Sequence, residues 1–172
     1  MSATTQQMEI RDHGQIGSMS LPTGWIEQSV EKISTQSVRR FHPPDDLSVA
    51  VYLYYRGRPL HEESAKNLAS ILAEAPHDLL DSEWWDIQEV VRDAAFPDVF
   101  NLNVARTTDW NGRRVLFVGG RWPISEEESF TIYVSADKAC THIQEIIYLS
   151  PQSKLPHWPI VERSLLTIRW TE

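Results

Sequence analysis

The C-terminal stretch constrains this chain most. A strand-like run from Thr141 to Leu149 ends at Ser150-Pro151. A short linker leads to an amphipathic segment from Trp158 to Leu166, and the chain closes on Ile168-Arg169-Trp170. Strand, proline break, helix and short apolar return specify an architecture, not a reaction, since their apolar residues are packing residues.

A second local signal is stronger residue for residue. Leu102–Trp110 and Arg113–Trp122 flank Asn111-Gly112, the dipeptide that favours a two-residue hairpin loop with positive φ at both positions. Such a loop pairs Trp110 with Arg113, Thr108 with Val115 and Arg106 with Phe117. Gly119-Gly120 marks a bulge or a close backbone approach. Ser129–Val134 reads as another strand, turning through Ala136–Lys138 into Thr141–Leu149.

Upstream, Leu47–Tyr55 is the clearest strand. Leu47, Val49, Val51, Leu53 and Tyr55 share one face, and Ser48, Ala50, Tyr52 and Tyr54 the other, so the strand is expected to be central and covered on both sides. Gln15–Leu21, Trp25–Ile33 and Arg39–His42 are weaker strand candidates, and residues 1–13 are expected to be a mobile lead-in. Glu62–Glu74 places Leu68, Ile71 and Leu72 at helical spacing. Ser82–Ala95 reads as a second helix with Ser82 as N-cap. In the final helix Ile160, Val161, Leu165 and Ile168 are expected to point inward.

Strands in hairpin order with segregated helices mean an α+β chain with an antiparallel sheet. The 172 residues suit one domain over 14–172, with a helical insertion around 76–101.

Leu21-Pro22-Thr23-Gly24-Trp25 is similar to the Leu-Pro-x-Gly-Trp opening of the PsbP/Mog-like α/β/α sandwich superfamily. The Asn-Gly hairpin, Val115–Gly119, Ile143–Tyr148, Ser150-Pro151 and the closing Ile168-Arg169-Trp170 extend the resemblance over most of residues 15–170. The superfamily includes DcrB-like envelope proteins and Eag-type secretion chaperones. The resemblance implies an antiparallel sheet flanked by helices, and a binding or adaptor role in place of catalysis. An acidic chain of this size suits a secretion-associated chaperone or toxin-neutralising adaptor. Trp84-Trp85 has no counterpart in the motifs that carry the resemblance.

Composition narrows the partners. The net charge of −8 disfavours a nucleic acid, whose phosphates draw on clustered Lys and Arg. The start carries neither a basic nor an apolar leader segment, so a cytoplasmic location is expected. No run is long and apolar enough to span a membrane. Another protein, a second copy included, is the expected partner.

Candidate chemistry is thin. The single cysteine, Cys140, lies two residues from His142 on a predicted strand, which would put a thiol and an imidazole on one face. A pocket holding Cys140, His142 or Arg106 is the alternative reading, as a small-molecule site or an enzyme. No His has metal-ligand spacing to another His or to Cys, and His42 near Asp45 and Asp46 sits in a proline turn. No metal, cofactor or catalytic set is expected. The candidate partner-binding residues are aromatic: Tyr52 and Tyr54 on the second face of the central strand, and Trp84 and Trp85, which cannot both face a core squarely.

Overall fold

The computed structural model describes residues 7–29, 37–151 and 157–172. Alternating residues build an antiparallel large sheet, in which β3 (Ile26–Gln28), β4 (Ser37–His42), β5 (Ala50–Tyr55), β6 (Asn101–Trp110), β7 (Arg113–Trp122), β8 (Glu127–Ser135) and β9 (Ile143–Pro151) run in the order β3-β4-β5-β9-β8-β7-β6. A smaller sheet orders β1 (Glu9–His13), β2 (Ile16–Ser20) and β10 (Arg169–Trp170) as β1-β2-β10.

The two faces of the large sheet build two cores. Val51, Leu53, Val115, Phe117, Ile132, Val134, Ile146 and Tyr148 pack under the small sheet and α4 (Trp158–Leu165). Leu116, Val118, Tyr133 and Ile143 pack under α1 (Glu62–Ala73), α2 (Asp81–Asp86) and α3 (Gln88–Val91). The result is an α/β/α sandwich.

The hairpin has the expected register, with Trp110 opposite Arg113, Thr108 opposite Val115 and Arg106 opposite Phe117. Asn111 and Gly112 take φ of 50° and 84°. The register shifts between Leu102 and Val104, which leaves Asn103 as an extra residue opposite the glycine pair. A Cβ on Gly120 would lie 2.4 Å from the Phe100 ring, so only glycine lets that ring lie on the strand.

Several expectations are corrected. The lead-in ends before Glu9, because Glu9–His13 pairs with β2 and buries Ile10; residues 1–6 lie outside the described residues. Its polar sequence hides a strand with only two inward positions, Ile10 and His13. Within Trp25–Ile33, only Ile26–Gln28 is a described strand; Val30, Ile33 and the linker residues 152–156 lie outside the described residues. Leu47 lies outside β5 and is exposed. Ile160 sits half-exposed at the edge of the α4 stripe, while Val161, Leu165 and Ile168 point inward.

The expected helix over Ser82–Ala95 is broken. α2 starts one residue before Ser82, and the Glu83 carboxylate accepts the Leu80 N–H at 2.9 Å. Ile87 (φ −116°, ψ 28°) separates α2 from α3, and Arg92 (φ 52°, ψ −124°) separates α3 from a 3₁₀ turn, Arg92–Ala95. Trp84, Ile87, Val90 and Val91 stay buried across the break, as the apolar face of the expected helix would have them.

Candidate functional site

A buried cluster of charged groups lies beneath that break. Glu145 on β9 is 2% exposed. Its Oε2 accepts from Arg56 Nε at 3.1 Å and from Arg92 Nη2 at 2.5 Å. Arg56 also donates to the carbonyls of Glu89, at 3.1 Å, and Val90, which ties β5's end to α3. A buried carboxylate needs such partners, because leaving an ion unpaired in the interior costs several kcal/mol. Two guanidiniums on one carboxylate leave this set with a positive charge.

Arg92 lies with its Cζ 5.3 Å over the Tyr54 ring and keeps its side chain 47% exposed. Burial alone would lower its pKa; the Glu145 carboxylate and Tyr54 outweigh that and raise it. Below it a cleft of about 240 Å³ opens between the 91–94 segment and the sheet. Val91, Ala94, Phe100, Val118, Trp122 and Ile147 supply its apolar walls. Ser129, Thr131, Tyr133 and Glu145 supply the polar floor, and Asp93 stands on the rim. Phe100 and Trp122 pack with ring centroids 4.6 Å apart, and Trp122 Nε1 donates to Ser129 Oγ at 3.2 Å. Burial pushes the Tyr133 phenol far up, so it stays a neutral donor.

The cleft opens beside the aromatic face of β5. Tyr52 is paired with Ile147, which is paired with Thr131; Tyr54 is paired with Glu145, which is paired with Tyr133. Tyr52 and Tyr54 are half-buried and belong to neither core. Arg40 lies across Tyr52, its Nε donating to the phenol oxygen at 3.0 Å. The four aromatic candidates therefore do not form one surface. Tyr52 and Tyr54 line the second sheet face next to the cleft. Trp84 is buried in the helical core, and Trp85 is exposed on α2.

The alternative pocket gathers only one of its three named residues. Cys140 lies in the turn before β9 with φ 56°, not on a strand, and burial pushes its thiol up. A hollow lined by Cys140, Arg113, Arg114 and Lys138 lacks His142, whose Nδ1 meets Thr141 Oγ1 at 3.0 Å. Arg106 lies over Phe117, on the other face of the sheet.

The fold also assembles a set that spacing alone missed. His77 Nδ1 donates to the Ala75 carbonyl at 2.8 Å, which aims Nε2 at Glu83 Oε2, 3.0 Å away, and Glu74 Oε2, 3.8 Å away. These groups could hold a cation. A protonated His77 satisfies them without one: the hydrogen bond to Ala75 and then the Glu83 carboxylate raise its pKa. His42 turns its Nδ1 to the Pro43 carbonyl at 2.6 Å, away from any clamp with Asp45.

No family model matches the sequence, and no curated protein does. Among solved structures, the chain is similar to the solution structure of cyanobacterial PsbP (CyanoP) from Synechocystis sp. PCC 6803. The TM-score is 0.60 at 11% identity, over 99% of this chain and 95% of that one. The chain has a PsbP-like fold. The identity is low enough that the likeness speaks for the fold alone. Within this PsbP-like fold, no helix among the described residues is long and apolar enough to cross a membrane.

Proposed function

We propose that this chain is a non-enzymatic binding protein whose partner is another protein, engaged through the second face of the large sheet. The observation that carries this is the placement of Tyr52 and Tyr54. They are half-buried, outside both cores, and continuous with a cleft walled by Phe100 and Trp122. Half-exposed aromatics beside a preformed cleft are the usual anchors of a partner surface. The fold class and the acidic charge favour an adaptor or chaperone over an enzyme, including one for secreted or toxic proteins. The buried Cys140 thiol and its separation from His142 count against the catalytic alternative.

Site-directed photo-crosslinking in the native host tests the reading. A crosslinker at Tyr52 should capture one specific protein. The same group at Lys66, 73% exposed on α1, should not. Tyr54→Asp should abolish the capture with little change in unfolding temperature. Equal capture from both positions, or none from Tyr52, rules the proposal out.

A further inference from the structure

The geometry points to the cleft at Arg92 as a site for a carboxylate carried on an apolar body, such as an aryl or branched alkyl acid. This deepens the binding role proposed above and rests on it. The argument starts from the backbone. Arg92 takes φ 52° and ψ −124°, a region that favours glycine. Holding an arginine there costs stability, so its side chain must return something. Neutralising Glu145 does not account for it. Arg56, 8% exposed and bonded to two α3 carbonyls, already does that. Arg92 is the second guanidinium on the same oxygen, and it is the one that reaches solvent.

What the placement does accomplish is presentation. Glu145 fixes one arm, the Tyr54 ring and hydroxyl lie against the guanidinium, and the half-exposed fork lines the mouth of an apolar cleft. That fork matches a carboxylate in two parallel hydrogen bonds. Behind it, Val91, Ala94, Phe100 and Trp122 accept an apolar group, and Ser129 and Thr131 line the floor. Asp93 on the rim carries the opposing charge. Net potential is therefore close to balance, and recognition comes from fork geometry and cleft shape.

Two ligand sources share this chemistry: a free small acid, and the C-terminal residue of a partner chain. Phenylpropionate and the tripeptide acetyl-Ala-Ala-Phe, with a free or an amidated terminus, are the probes, followed by amide chemical shifts of the protein. Phenylpropionate and the free-acid tripeptide should shift Ala94, Thr131 and the Trp122 indole. Amidation should weaken the tripeptide about tenfold, the worth of a charged hydrogen bond. A tripeptide that binds more tightly than phenylpropionate assigns the site to a partner terminus; the reverse assigns it to a small acid. Arg92→Gly should lose both probes while its unfolding temperature holds or rises, because glycine suits that backbone. Shifts elsewhere on the protein, equal binding of acid and amide, or unchanged binding by Arg92→Gly would overturn the inference. Those outcomes leave the Tyr52 crosslink intact, so the two proposals fail separately.

Discussion

The side-chain amide of Asn111 donates to the carbonyl of Ile168 at 2.9 Å. The same amide reaches Leu166 O at 2.9 Å, and the flanking tryptophans complete the joint: Trp110 Nε1 donates to Leu165 O at 3.0 Å and Trp170 Nε1 to Trp110 O at 2.8 Å. The hairpin tip is thus the cap for the carbonyls that end α4, which a helix otherwise leaves unsatisfied.

Asn111 therefore has two tasks, and its replacements separate them. Asn111→Ala removes the cap and places alanine at positive φ, so stability should fall by about 1–3 kcal/mol in urea unfolding. Asn111→Gly keeps the turn and removes only the cap, and should cost about half as much. Equal losses would mean that the positive φ costs alanine nothing, and no loss in Asn111→Gly would mean that the cap contributes nothing.

The hairpin was legible because its rule is local: Asn-Gly between alternating strands fixes turn and register together. The cleft was not. Glu145 sits in Ile143-Gln-Glu-Ile-Ile-Tyr148, where a strand pattern says nothing of a buried ion, and its partners Arg56 and Arg92 lie in a turn and a helix break far away in sequence. Tyr52 and Tyr54 were placed on the correct face by alternation alone. That the helices stop short of them depends on how α1 to α3 pack, a tertiary fact. Cys140 and His142 show the reverse error: spacing suggested a shared strand face, but Asp137 accepts from the Thr141 N–H at 3.0 Å and its hydroxyl at 2.7 Å, and holds that stretch as a turn.

Glu145→Gln should be among the most destabilising single changes in the chain. It leaves Arg56, 8% exposed, with a neutral partner, and breaking one side of a buried ion pair costs about 3–5 kcal/mol. Chemical denaturation of Glu145→Gln and of the Arg56→Met/Glu145→Leu pair checks this. The double variant should recover much of the loss, since the one ion it strands, Arg92, is 47% exposed and reaches water.

Arg114 should act as a tie for α1. Its Nε donates to Asp109 at 2.6 Å, and Nη1 reaches the Leu72 carbonyl at 3.3 Å and the Glu74 carbonyl. A cation on the final carbonyls of a helix is favourable both as a hydrogen bond and against the helix dipole. Arg114→Ala should cost about 1–2 kcal/mol and speed amide exchange in the last turn of α1 before other segments.

Cys140 should resist alkylation. Cys140 is 2% exposed as a residue and burial pushes its thiol pKa up, so little thiolate forms at neutral pH. Labelling with iodoacetamide should track global unfolding, rising with urea along the same curve as tryptophan fluorescence. Fast labelling of the native protein would reopen the Cys140 hollow as a reactive site.

The His77 set predicts a pH window for the α1–α2 junction. The folded pKa of His77 is raised above its ordinary 6.5, so its contribution is full below that value and is lost as pH rises through the folded pKa. For Glu83, burial alone would raise the pKa, but the Leu80 N–H and His77 outweigh it and hold it below 4.5. Its contribution is full above 4.5 and is lost as pH falls through the lower folded value. Both are complete only between 4.5 and 6.5, where the junction should be tightest. The unfolding temperatures of the native chain and of His77→Gln should differ most in that window and converge on its alkaline side. An NMR titration of the His77 ring should show a midpoint above 6.5 that returns toward the ordinary value in Glu83→Gln. A midpoint at or below 6.5 in the native chain would show that Nε2 is not held protonated by Glu83.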